Sequence, residues 1–170
     1  MIDNKWFCEP NDERESWCFL ILEQRNSEGD GSITGWQIGY GNPKKMTRTL
    51  SSSGSSEEEI IQGLLDEIYY CRREGILMIT AERDSVPALR THILLLGMEE
   101  ASFRGVEYVC IDRLLEEHFL GLGDLDGSSG RSILELGERI GIVEDCEETE
   151  LLRRIFLRIG PLLPKSFPPR

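Results

Sequence analysis

The chain has no apolar run near the ~18 residues that a bilayer span requires. Its start, Met1-Ile2-Asp3-Asn4-Lys5, also lacks the pattern of a signal peptide. No membrane partner is expected, and a cytoplasmic location is. Clustered basic residues are scarce too. Nineteen Lys and Arg stand against 31 Asp and Glu, for a formal net charge of -12, and the basic residues gather at most into adjacent pairs such as Arg72-Arg73 and Arg153-Arg154. Phosphate backbones are held by clustered cations through counterion release, so nucleic-acid binding is expected to be weak at most. The acidity suits solubility or a basic protein partner. None of the five cysteines, Cys8, Cys18, Cys71, Cys110 and Cys146, belongs to a C-x-x-C pair, which argues against structural zinc. Free thiols serving as small core residues are expected instead.

What is present is 170 residues, 39% apolar and 29% charged, enough for one core. The expected division is a single domain over residues 1–160 and a proline-rich tail over 161–170. Three strands open the chain: Ser16 to Gln24, Ile33 to Tyr40 and Met46 to Leu50. Turn formers at Asn26 to Gly31 and at Gly41-Asn42-Pro43 separate them, which makes an antiparallel meander. The polar stretch Ser51 to Ser55 leads to a helix with Ser56 as N-cap, Glu59 as capping-box partner, apolar residues Ile60, Ile61, Leu64, Leu65 and Ile68 at helical spacing, and Gly75 as the stop. Ile76 to Thr80 is a short, continuously apolar strand of the kind covered on both faces. Pro87 begins a helix that runs to Gly97. A strand from Val106 to Ile111 and a helix from Asp112 to Leu120 follow. Beyond the Gly121 to Gly130 loop come helical segments at Ser132 to Ile140 and about Glu147 to Ile159. In outline the order is β-β-β-α-β-α-β-α-α, an α/β class with a mixed sheet, antiparallel first and parallel after.

That order is the order of the ribonuclease H-like fold, and short motifs narrow the likeness. Ile79 to Arg90 resembles the second motif of the DEDD-type 3′–5′ exonucleases, most closely the domains of family B DNA polymerases and stand-alone predicted exonucleases. The Pro-x-Leu-Arg frame stands at Pro87-Ala88-Leu89-Arg90. Val109 to Leu115 resembles the next strand end, and Ser132-Ile133-Leu134-Glu135-Leu136 resembles the helix that usually follows. The likeness covers about residues 16 to 143.

The resemblance implies four carboxylates around two divalent ions roughly 4 Å apart, which activate water and stabilise the leaving oxygen. Here the first ligand position falls on Ile21, the second is kept as Glu23, the third falls on Ser85, and the family's Asn position falls on Thr80. The fourth has no counterpart at the family's spacing in the last helix. One carboxylate of four does not hold two ions, and Ile21 puts an apolar group where an oxygen is required. Substitutes at Glu82, Asp84 and Asp112, acting with Glu23, would make a divergent magnesium- or manganese-dependent exonuclease. The plainer reading leaves Glu23, Asp84 and Asp112 as solvated strand-end acids, with no metal or cofactor.

His92 and His118 read as surface histidines, since no nucleophile neighbours either. The loop Gly121 to Gly127 lacks a phosphate-loop ending and a calcium ladder, and reads as a connector. Trp6, Trp17 and Trp36 read as core rather than base-stacking residues. The tail reads as an extended or frayed, disordered terminus, with docking as a peptide the alternative. The expectation is a catalytically degenerate exonuclease-like domain that binds a protein partner in DNA replication, repair or RNA processing. Its rivals are the divergent exonuclease and a structural subunit without a nucleic-acid connection.

Overall fold

The structure, a computed structural model, describes residues 14–25, 31–53, 56–98, 105–119, 121–122, 133–142 and 145–163. Its centre is a five-stranded mixed sheet of β1 (Trp17–Gln24), β2 (Ile33–Gly41), β3 (Met46–Ser53), β4 (Leu77–Thr80) and β5 (Tyr108–Cys110). The spatial order is β3-β2-β1-β4-β5. β1 pairs antiparallel with β2 and β2 with β3, whereas β1–β4 and β4–β5 are parallel. Because successive side chains on a strand point to opposite faces, β1 divides its residues between two cores. Trp17 and Phe19 join Leu77, Ile79 and Phe156 on one face. Cys18 and Leu20 join Trp36, Ile38 and Leu64 on the other. The strand is therefore apolar without alternation where it is central.

Two helices cover the second face, α1 (Glu57–Glu74) and α2 (Ser85–Leu95). Ser56 Oγ accepts the Glu59 amide at 3.3 Å, and Gly75, at φ 67°, closes α1 in the left-handed conformation expected of a glycine C-cap. The opposite face is covered by α3 (Ile111–His118), α4 (Ile133–Arg139) and α5 (Glu148–Ile159), with a 3-10 turn at Gly160–Leu162. Three helices thus follow β5, one more than the outline order counts. No helix among the described residues is long and apolar enough to cross a membrane.

α5 seats closely on the sheet because β2 offers it a glycine. A Cβ on Gly39 would lie 2.8 Å from the Thr149 Cβ and 2.5 Å from Met46 Cε. Farther along α5, Trp17 and Phe156 meet edge to face at 5.0 Å. The buried Arg153 then clamps the β2–β3 turn, donating to the carbonyls of Asn42 at 3.5 Å and Pro43 at 3.2 Å. Glu150 holds that guanidinium with two bonds of 2.8 Å and also accepts from Arg154. The turn is preformed by the buried Asn42, whose Oδ1 accepts the amides of Lys44 and Lys45. α4 hangs on α5 in turn, since a Cβ on Gly137 would stand 2.9 Å from Leu151 Cδ1.

Several boundaries differ from the sequence expectation. β3 continues through Ser51 to Ser53, read above as a polar linker, because its backbone pairs with β2 as far as Gly35↔Ser53 and ladder bonds do not depend on side chains. α2 starts at Ser85 rather than Pro87. A proline in the first helical turn removes an N–H that has no intrahelical acceptor anyway. β5 is shorter than expected, as Ile111 already begins α3. The tail is not wholly extended, for Pro161 and Leu162 belong to the 3-10 turn Gly160–Leu162, and Leu163 beyond it is buried against the α5 side of the core. Its residues 164–170 lie outside the described residues, as do Cys8, Trp6 and most of the Gly121 to Gly130 loop.

The Arg153 bonds hold the Glu150 carboxyl below its ordinary 4.5, against the opposing effect of burial, and Arg154 adds to them. A depressed folded-state value contributes stability that is fully present above 4.5 and is lost as pH falls through the folded value. Glu15, bonded by Arg48, Thr47 and Tyr70, is also lowered although its own burial opposes the shift, and it acts in the same sense. The urea midpoint should therefore fall between about pH 5 and about pH 3, and fall less steeply in Glu150→Gln. Equal slopes in the two proteins would remove Glu150 from the account.

Candidate functional site

β1 and β4 run parallel side by side, and β4 stops at Thr80, opposite Leu20. From there the two chains part. β1 turns back into β2, while β4 passes through α2 to β5 on the other side. Such a switch point at the carboxyl ends of parallel strands leaves a crevice that flanking loops do not fill. A cleft of about 180 Å³ lies there, and Ile21 and Ser85 both line it. The remaining walls come from the strand end at Leu20 and Leu22, the β4–α2 loop at Ala81 and Glu82, α4 at Ile133 and Leu134, and α5 at Glu148. The structure thus brings together the two positions that the resemblance reads as replaced ligands.

It does not bring the proposed substitutes together. Glu23 is exposed and does not line the cleft. Its carboxylate accepts from Gln37 Nε2 at 3.3 Å and rests over the bare backbone of Gly35, where a Cβ would come within 2.6 Å of Glu23 Oε2. Asp84 is exposed at the N-cap of α2 and makes no side-chain cap bond there. Glu82 is exposed and reaches the cleft. Among the described residues no group of three or more His, Cys, Asp or Glu is arranged to hold a metal ion, so Glu23, Asp84 and Asp112 do not form one.

Asp112 corrects the solvated reading outright, since it is 0% exposed. Its Oδ2 accepts Arg83 Nε at 2.7 Å, and the same arginine reaches Glu116 at 3.2 Å. Its backbone amide donates to the Ala81 carbonyl at 3.1 Å. A buried carboxylate persists when a cation and hydrogen bonds compensate its lost hydration. The pair ties the first turn of α3 to the β4–α2 loop, so Asp112 positions one wall of the cleft from behind it. The family's Asn position, Thr80, is buried, and its hydroxyl donates to the Val109 carbonyl at 3.5 Å.

His92 was expected at the surface but is 8% exposed. Its Nδ1 lies 2.9 Å from Glu57 Oε1, which also accepts the Ile33 amide at 2.7 Å. This joins α2 to the first turn of α1 and the start of β2. His118 is exposed, as expected. Trp17 and Trp36 are core residues, and Trp36 Nε1 donates to the Ile60 carbonyl at 2.8 Å. Cys18, Cys71 and Cys110 are buried free thiols. The hydrogen bond to Cys71, reinforced by burial, pushes the Cys18 thiol well up, so it stays protonated and inert.

The residue that sequence reasoning missed is Glu148. The run Glu147-Glu148-Thr149-Glu150 is visibly acidic, but only the seating of Thr149 on Gly39 determines which of its carboxylates borders the cleft.

Removing the Arg83 side chain leaves Asp112 buried without this cation. Arg83→Ala should therefore lower unfolding free energy by about 2–3 kcal/mol near neutral pH, and Asp112→Asn in the same chain should recover most of the loss. Urea denaturation of both variants checks this, and an unchanged midpoint in Arg83→Ala would show that the pair does not hold the loop. No protein-family model matches this chain, and no curated protein matches it.

Proposed function

We propose that the chain is a catalytically degenerate 3′–5′ exonuclease-like domain of ribonuclease H-like architecture that works as a binding or scaffold module. The observation that carries the reading is the convergence of Ile21 and Ser85 on one cleft at the strand switch point. A metal-dependent nuclease needs carboxylate oxygens at such positions. This chain has a branched hydrocarbon at one and a hydroxyl at the other. The sheet order β3-β2-β1-β4-β5, with its antiparallel first half, supports the architectural part of the reading.

The partner is a protein, in a setting of DNA replication, repair or RNA processing. A net charge of -12 and dispersed Lys and Arg disfavour direct backbone binding to nucleic acid. The rival enzyme reading rested on Glu23, Asp84 and Asp112. Its weakest member is Asp112, because a metal ion there would have to displace Arg83 from a buried 2.7 Å contact.

End-labelled single-stranded DNA and RNA incubated with magnesium or manganese should remain intact, with wild type and Glu23→Ala indistinguishable. Degradation by wild type that is lost in Glu23→Ala would overturn the reading and establish a substitute metal site.

A further inference from the structure

We infer that the outer edge of β3 receives an extended, basic segment of the protein partner, which pairs with it as a further strand of the sheet; the inference rests on the domain being a binding module. β3 ends the spatial order β3-β2-β1-β4-β5, so among the described residues no strand flanks its outer side. Such an edge presents unpaired N–H and C=O groups, and an extended peptide binds by completing that ladder.

The outward residues follow from the pairing. The Leu77 amide donates to the Ser16 carbonyl at 3.0 Å. In β1, then, Cys18 and Leu20 turn their backbone groups to β4, and Trp17, Phe19, Ile21 and Glu23 turn theirs to β2. On β2 the partners of those four, Gly41, Gly39, Gln37 and Gly35, serve β1, which leaves Tyr40, Ile38 and Trp36 to bond β3. Arg48, Leu50 and Ser52 therefore point inward, while Thr49, Ser51 and Ser53 direct their amides and carbonyls to solvent. All three outward residues are exposed.

The usual protections of an edge are missing along this stretch. β3 has eight residues and contains no proline or lysine. Its one charged side chain, Arg48, folds back over the Tyr40 ring of β2 at 4.0 Å and is bonded by Glu15. The register shift falls at the start of the strand, between Tyr40 and Gly41, and pairing from Arg48 to Ser53 is regular. The opposite edge, β5, is three residues long.

Charge and packing set the chemistry of the occupant. The net charge of -12, together with the exposed Glu58 and Glu59 in the first turn of the helix that follows β3, favours a basic segment. A second copy would bring the same -12 and is disfavoured. Leu50 is half-buried against the α1 side of the sheet. A partner residue opposite it forms a close, non-hydrogen-bonded pair in an antiparallel ladder, so an apolar residue there extends the core. Its neighbours lie opposite Thr49 and Ser51, whose short uncharged side chains leave room for lysine or arginine.

The probe is an acetylated and amidated Lys-Val-Lys-Val-Lys-Val-Lys peptide, read by 15N–1H spectra and amide hydrogen exchange of the full chain. Without peptide the amides of Thr49, Ser51 and Ser53 should exchange fast, and those of Arg48, Leu50 and Ser52 slowly. The peptide at millimolar concentration should shift and protect the first three. A Glu-Val peptide of the same length should bind about tenfold more weakly or less. Ser51→Pro removes an outward N–H and leaves the bonds to β2, so with its remaining spectrum unchanged it should weaken the lysine peptide about tenfold. The exchange pattern and the two peptides decide the matter whether or not that variant folds. Slow exchange at Thr49, Ser51 and Ser53 in the free monomer, absent shifts, equal binding of both peptides, or full binding by folded Ser51→Pro would overturn the inference. Protection that grows with protein concentration in the absence of peptide would overturn it in favour of a second copy. With single-stranded DNA and RNA left intact, these failures leave the scaffold reading standing and move the partner surface elsewhere. Metal-dependent degradation alongside normal peptide docking would overturn the scaffold reading and leave the edge as a docking site.

Discussion

The close seating of α5 on β2 is the constraint on which the rest of the molecule depends. At Gly39 there is no side chain, so Thr149 sits directly on the strand, where a Cβ would come within 2.8 Å of it. Interiors are packed near crystal density and do not absorb such an overlap freely. From that point α5 runs under Trp17 and places Phe156 against it. It carries α4 through the Gly137–Leu151 approach and locks its register with Arg153 on the Asn42 and Pro43 carbonyls. The cleft inherits its geometry from this seating. Glu148 is the residue before Thr149, and Ile133 and Leu134 belong to the helix that α5 carries.

Several acids of this chain are committed to structure. Asp112 holds Arg83, Glu150 holds Arg153 and Arg154, Glu15 holds Arg48, and Glu57 pairs with His92. Each joins elements distant in sequence or fixes a side chain that does so. Glu82 and Glu148 are exposed and border the space between the strand ends. Asp112 shows why acid type and strand-end position alone do not identify a ligand. A carboxylate next to an active-site-like crevice can be spent on holding a loop.

The fold was largely legible from the sequence, and the reasons are local. The Ser56 cap, the Gly75 stop and the apolar spacing between them fix α1 without outside help. The continuous apolarity of Leu77 to Thr80 identifies a strand covered on both faces. The site was less legible because its residues meet only after long-range packing. Ile21 and Ser85 were found through a resemblance of short motifs. Glu148 has no local signature that separates it from Glu147 and Glu150. The burial of His92 and Asp112 escaped notice because each depends on a partner in another element, Glu57 and Arg83. The serines of β3 were misread because an edge strand with one solvated face shows no apolar pattern.

The central claim is that Ile21 and Ser85 stand where metal-ligating oxygens would have to stand, and that their identity keeps the cleft from holding a catalytic ion. Manganese binding measured by electron paramagnetic resonance on wild type and on Ile21→Asp/Ser85→Asp tests it most directly, with far-ultraviolet circular dichroism to verify folding. The account predicts no bound manganese in wild type and bound manganese in the double variant, where two new carboxylates join Glu82 and Glu148. Equal binding by both proteins, or none by a folded double variant, would contradict it.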